Sequence, residues 1–204
     1  MNQRSNKIKK TILIKASSYL GVNANGGEAH TLLSFCQFLS DDYIVLIVGP
    51  EVFPNELRPY IIKPLLTYLT LPRFIRVFAH VPVSIINTIK SAKELKPTLV
   101  MCVGGVFYNG LAAVIASKIF GKKNLVRTAE DHLGSAQAQS SISKKIGHRL
   151  FIGPVSMLTL NLAQNVMTVG FASRNYFIDC GLEPSKISYA VSPIQVKRFT
   201  GPSK

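Results

Sequence analysis

Short runs rich in β-branched residues recur along the chain and alternate with stretches of helical periodicity. The runs fall at residues 11–14, 43–48, 99–103, 125–126, 166–169 and 187–191. They are mostly continuous in apolar character rather than alternating, which suits strands covered on both faces, as in a parallel sheet. Strands interleaved with helices in this order predict a doubly wound α/β domain with a mainly parallel sheet.

The intervening stretches support helices. Over residues 27–40, Ala29, Leu32, Leu33, Cys36 and Leu39 fall on one stripe, and Asp41 with Asp42 ends the pattern. Over residues 109–120, Ala112, Ala113, Ala116 and Ser117 allow a helix to approach a sheet closely. Gly121 is placed to close that helix in a left-handed turn, and Lys122 and Lys123 complement its carbonyl end. Ser173 is expected to cap a short helix that Gly181 terminates.

Residues 57–90 break this rhythm. Pro59, Pro64, Pro72 and Pro82 interleave with apolar pairs and with Lys63, Arg73 and Arg76. Two readings fit: a basic amphipathic layer on an anionic membrane, or a buried strand and crossover helix whose arginines face water. Residues 97–117 and 150–173 carry no charge and are long enough to span a bilayer. Yet they hold Gly104, Gly105 and Asn109, and Pro154, Asn161, Gln164 and Asn165, and buried amides are costly in hydrocarbon. Each divides more naturally into strand and helix.

Composition narrows the class. With 204 residues, 47% of them hydrophobic, the chain can build one full-sized core. Twenty-four Lys and Arg against ten Asp and Glu give a formal charge of +14, which favours phosphate-bearing ligands, anionic lipid or nucleic acid. No arginine-rich block or RNA-binding fingerprint is present, so the expectation is no nucleic acid. Cys36, Cys102 and Cys180 are widely spaced in apolar sequence, which points to reduced, buried thiols in a cytoplasmic protein. Residues 1–10 form a polar, basic tail, and the apolar run after them is too short for a secretion signal.

Candidate chemistry lies at predicted strand ends. The first strand runs through a loop to Gly26, Gly27 and Glu28 at the start of the first helix. Glycines permit a tight turn and close backbone approach, and a helix amino terminus favours negative charge. Ligands of open α/β sheets lie beyond the carboxyl ends of the strands, so this turn is positioned to line a cleft; a helix-entry turn without ligand is the plain alternative. Gly21, Gly26 and Gly27 do not have the dinucleotide spacing, and Glu51, where a ribose-binding acid would sit, lies between Pro50 and Pro54. Gly104 and Gly105 repeat the strand–glycine–helix pattern and make a shared cleft more probable. After the strand at Leu125, Glu130, Asp131 and His132 offer acid–base or hydroxyl-binding groups, or simply a solvated turn. No phosphate-loop, nucleophile-elbow or zinc spacing is present.

The order of these pieces resembles the glycosyltransferases of family 4, retaining enzymes with two Rossmann-like halves (the GT-B fold), over nearly the whole chain. Gly26-Gly-Glu-Ala-His-Thr-Leu-Leu33 is similar to the family's glycine-pair loop and first helix. Lys96 to Val103 is similar to its lysine/proline-led strand, and Gly121 to Val126 to the helix-to-strand link after it. The tail is the most specific part: residues 166–176, then Gly181 to Ile187, Ser192 to Ile194, and Arg198-Phe199. The resemblance implies a single domain over residues 11–200, the amino-terminal, acceptor-side half of such an enzyme, without the C-terminal donor-binding domain.

It further implies transfer of a sugar from a nucleotide-sugar donor to a sugar or lipid-linked acceptor, with no cofactor and no metal. Gly26, Gly27 and Glu28 would face the donor diphosphate, Gly104 and Gly105 the acceptor, and Glu130, Asp131 and His132 the reaction centre. Family members often carry a histidine where Glu130 aligns, and here His132 stands two residues further on. A separate C-terminal partner and an anionic surface at the cytoplasmic membrane face are the expected partners, and the half is expected to be inactive alone. The competing class is a non-catalytic α/β binding module, or a subunit that complements a donor-binding partner. A nicotinamide-linked oxidoreductase would instead be protected from unfolding by its cofactor, and no such protection is expected.

Overall fold

Ile12 and Ile14 of the first strand are buried on one side of it and Leu13 on the other, so the sheet it belongs to must be covered on both faces. The structure is a computed structural model that describes residues 9–22, 27–128, 142, 146 and 148–190. Its strands are β1 (Lys10–Lys15), β2 (Tyr43–Val48), β3 (Ile61–Ile62), β4 (Leu99–Val103), β5 (Lys123–Thr128), β6 (Asn165–Thr168) and β7 (Ile187–Tyr189). They form one sheet in the order β3-β2-β1-β4-β5-β6-β7, with every neighbouring pair parallel. Strand order reverses between β1 and β4, the position where open α/β sheets form a crevice.

The helices are α1 (Gly27–Leu39), α2 (Arg73–Leu95), α3 (Leu111–Ile119), α4 (Gly153–Leu162) and α5 (Phe171–Asp179). On one face, Ala29, Leu32, Leu33 and Cys36 of α1 pack on Ile12, Ile14, Val45, Ile47 and Met101. On the other, Ala92 and Ala116 cover Leu13 and Val48, while Ala113, Leu160 and Phe177 cover Val100, Val126 and Val166. The small residues of α3 are buried, as their size predicts for a helix drawn close to the sheet.

Several local expectations are corrected. The helix expected from residue 109 is preceded by a separate π-turn, Val106–Gly110, before α3 begins. Ser173 does not cap α5, which starts at Phe171 behind an extended Gly170 with no side-chain cap. Gly121 and Gly181 do take the left-handed backbone expected of them, at φ 60° and 93°. Cys36 and Cys102 are buried thiols, whereas Cys180 is only half-buried.

Residues 57–90 resolve into a 3-10 turn (Asn55–Tyr60), the short β3, a connecting segment and the 23-residue α2, with Pro72 at its start and Pro82 inside. Arg76 does not simply face water: its Nε and Nη2 donate to the Leu71 carbonyl at 3.3 and 3.0 Å. Asn87 of α2 clamps the connecting segment, accepting from Leu66 N at 2.9 Å and donating to Leu66 O at 2.8 Å. Among the described residues no helix is long and apolar enough to cross a membrane.

Candidate active-site rim

Parallel strands deliver all their carboxyl ends to one edge of the sheet. β1 and β4 are neighbours with Lys15 opposite Cys102, so the chain leaves both strands side by side. Gly27, Glu28, Gly104 and Gly105 therefore meet at one rim. Gly27 opens α1, is exposed, and has open space where a Cβ would stand. Gly104 has φ 95°, and a Cβ there would lie 2.6 Å from Glu28 Oε1. Its bare backbone lets the Glu28 carboxylate rest on the second turn.

Hydrogen bonds tie the two turns together. Ser17 donates to Glu28 through its amide at 3.1 Å and its hydroxyl at 2.8 Å. Asn109, in the π-turn, donates from Nδ2 to Ser17 Oγ at 3.2 Å. A Cβ on Gly105 would stand 3.1 Å from the Tyr108 ring, so the second glycine of the pair makes room for that aromatic. Gly26, Glu130, Asp131 and His132 lie outside the described residues.

Two cations beneath the rim were not singled out from sequence. Lys15 ends β1 with 1% of its surface exposed, and its ammonium donates to the Ala16 carbonyl. The ammonium occupies the space a Cβ on Gly49 would fill, and Gly49 has φ 117°. Burial lowers the Lys15 pKa to about 8, partly offset by Cys102 and Glu28. Arg127, next to last in β5, is 6% exposed, with its guanidinium 5.7 Å from the centroid of Phe35. Burial lowers its pKa too, and the same Cys102 and Glu28 oppose the shift. Glu28 is thus a shared counter-charge for both.

An aromatic stack crosses the same rim. The His80 ring lies 4.5 Å from Tyr68 and 4.0 Å from Tyr108. Burial, then the charge of Lys15, lowers the His80 pKa to about 4, so its imidazole is neutral at physiological pH. Tyr68 is fixed through its amide, which donates to Glu51 Oε1 at 3.2 Å. Glu51 thereby has a structural bond in the loop that Pro50 and Pro54 flank. Beside it, Pro50, Glu51, Phe53, Arg58, Lys63 and Pro64 line a cleft of about 450 Å³. A larger groove of about 680 Å³ lies at the opposite, amino ends of the strands, among Lys10, Phe38, Thr98, Lys122 and Leu125. It is remote from the glycine turns. No group of three or more His, Cys, Asp or Glu among the described residues is arranged to hold a metal.

No family model matches the chain, and no curated protein matches it in sequence. Solved structures do match its fold. HepE from Anabaena, crystallised with UDP and glucose, aligns at TM-score 0.61 and 15% identity over 93% of this chain and 46% of its own. The UDP-N-acetylglucosamine 2-epimerase of Rickettsia bellii aligns at TM-score 0.56 and 11% identity, over 90% of this chain and 45% of its own. That of Methanocaldococcus jannaschii aligns at 0.56 and 13%, over 88% and 45%. At these identities the likeness is one of fold. The chain spans a little under half the length of each, and its seven-stranded parallel sheet is a Rossmann-like α/β fold that matches one half of these GT-B structures.

Proposed function

We propose that the chain is the acceptor-side half of a glycosyltransferase like those of family 4. It would transfer a sugar from a nucleotide-sugar donor to an acceptor hydroxyl once joined to a donor-binding half. The observation that carries this is the rim itself: two glycine turns at adjacent strand ends, bound to each other through Asn109, Ser17 and Glu28. HepE, similar in fold, holds UDP and glucose, which favours a nucleotide-sugar ligand over other anions.

The chemistry follows from that placement. The first turns of α1, behind Gly26 and Gly27, present backbone amides to the charge that builds on a leaving diphosphate. Lys15 and Arg127 add a positive field from beneath, with Glu28 as their only shared carboxylate partner named above. The turn at Gly104 and Gly105 is proposed to shape the acceptor side through the Glu28 carboxylate and Tyr108 ring packed against it, and Glu130, Asp131 and His132 are proposed polar contacts of the reacting centre. The donor-side cations and carboxylates would come from the other half, either in the same polypeptide or in a partner.

The acceptor is proposed to be lipid-linked. Phe78 is 80% exposed, Leu65 52% and Ile75 41%, close in sequence to Lys63, which suits the interface of an anionic membrane. Sedimentation with anionic vesicles at low salt should carry the protein down, and its staying in the supernatant removes the lipid element. For the reaction, labelled sugar transfer from nucleotide-sugar donors is compared for the chain alone and with a donor-binding half encoded downstream or nearby. The expected result is transfer only by the pair. A stably folded chain that gains no activity from any such half would instead be a binding module.

A further inference from the structure

The groove at the amino ends of the strands is open, apolar along its floor and charged with one sign at its edge. Strand register builds the floor. Leu99 of β4 stands opposite Lys123 of β5, and Met101 opposite Leu125. Residues two apart share a face, so Leu99, Met101 and Leu125 form one apolar strip beside α1. Half-buried Met167 of β6 extends it, and Phe35, Phe38 and Leu39 of α1 supply a wall, with Phe38 73% exposed. Lys10 begins β1 and Lys123 begins β5, so both stand at the amino edge, with Lys122 beside them. No Asp or Glu lines the groove. Among the described residues none of these three ammonium groups has an ion pair or hydrogen bond, whereas that of neighbouring Lys9 donates to Ser40 O at 2.9 Å. The Thr98 hydroxyl, also in the lining, is already used on the Thr11 carbonyl at 3.0 Å.

We propose that this groove holds a single-chain anionic amphiphile as a monomer: an acyl or isoprenyl chain ending in a phosphate or carboxylate. Its head lies among Lys10, Lys122 and Lys123, and its chain runs over Leu99, Met101, Leu125 and Met167. A volume of about 680 Å³ is that of a small-molecule site, and such sites pair an apolar lining with a few placed polar groups. Exposed apolar surface rimmed by charge marks a place of binding rather than ordinary surface. The uncompensated lysines select an anion, and the floor selects what the anion is attached to. A nucleotide would bring a ribose and base whose polar atoms find no partners on that floor, whereas a hydrocarbon chain needs none. A recess takes one chain at a time, while a flat bilayer would reach only Phe38 and the lysines at the edge. The inference stands apart from the glycosyltransferase reading, because the groove lies across the sheet from the glycine turns, and the lipid it holds is not the reacting acceptor.

The test uses the full chain with ¹³C-labelled methionine methyl groups. Met101 and Met167 line the groove, and Met157 of α4 packs on the opposite face of the sheet as an internal control. Dodecyl phosphate or laurate, added below its micelle concentration, should shift Met101 and Met167 and leave Met157 in place. Dodecanol should bind about tenfold more weakly, and inorganic phosphate should shift neither methyl. Replacing both Lys122→Gln and Lys123→Gln, at surface positions, should weaken dodecyl phosphate about tenfold and leave dodecanol unchanged. Phe38→Glu, at the exposed wall, should weaken both anions as well. Equal affinity for dodecanol and dodecyl phosphate, silence of the two groove methyls, or joint movement of all three overturns the proposal. A response that begins only with micelles or anionic vesicles overturns it in favour of a bilayer-contact surface. Shifts that grow with protein concentration and no added amphiphile overturn it in favour of self-association. A response to an acidic amphipathic peptide but to no amphiphile overturns it in favour of a protein partner. None of these outcomes decides whether the rim transfers sugar, which the assay of the paired halves reads separately.

Discussion

At the end of β1, Lys15 keeps a full positive charge in the protein interior. A base whose folded pKa lies below its unfolded value destabilises the fold wherever the unfolded chain binds the extra proton. For Lys15 that cost grows as pH falls from the ordinary 10.5 to about 8, and stays constant below. Lys15→Met keeps the aliphatic length and removes the charge, so it should stabilise the protein at neutral pH by on the order of 1–3 kcal/mol. Its melting temperature should rise, and the alkaline gain in stability of the parent chain should vanish. His80 follows the same sign: its share of stability is present above pH 6.5 and is lost as pH falls towards about 4. Discounted for its partial exposure, that loss is on the order of 1–2 kcal/mol. Urea melts on either side of this window should show it, and His80→Phe should remove it. Gly104→Ala forces a side chain into φ 95° and against Glu28, and should cost about 1–3 kcal/mol in the same melts. The glycines were legible in the sequence because a bare backbone has few other uses between a strand and a helix. Lys15 and Arg127 were not, because a cation closing an apolar strand reads as its solvated end until the fold buries it.

Among the elements, α2 and the segment before it show how far periodicity reaches. Four prolines scattered over residues 57–90 left two readings open, and neither proline at the ends of the pattern revealed that Pro82 would sit inside a 23-residue helix. Beyond it the helix binds onward: Thr88 Oγ1 donates to Ser84 O at 2.7 Å, and Asn87 fastens Leu66 by both ends of its amide. Removing that clamp with Asn87→Ala should cost about 1–3 kcal/mol, since it leaves two backbone groups of Leu66 without their partner. Amide exchange should quicken at Leu66 while β1 and β4 stay protected; equal quickening throughout would mean the clamp belongs to the global core. The π-turn was invisible in sequence for the opposite reason. Residues 106–110 continue the apolar run into α3, and the one-residue widening that turns Asn109 toward Ser17 leaves no mark on the pattern.

For the whole molecule, the apolar strand runs foretold a parallel sheet, and the sheet order delivers both glycine turns to one edge without any further assumption. The spacing could not give that order, which depends on which strands pair; it rests on β1 lying between β2 and β4. The +14 charge marks an anion-seeking surface but does not choose its ligand, and the chain matches somewhat less than half of each solved structure named above. The most direct measurement is hydrogen–deuterium exchange by mass spectrometry on the chain, alone and joined to the proposed donor-binding half, with and without UDP-glucose. Slowed exchange should appear at Ser17, at the start of α1 from Gly27, and across Gly104 and Gly105. Protection confined to the opposite edge, around Lys10, Thr98 and Lys122, with the glycine turns unchanged, would contradict the account.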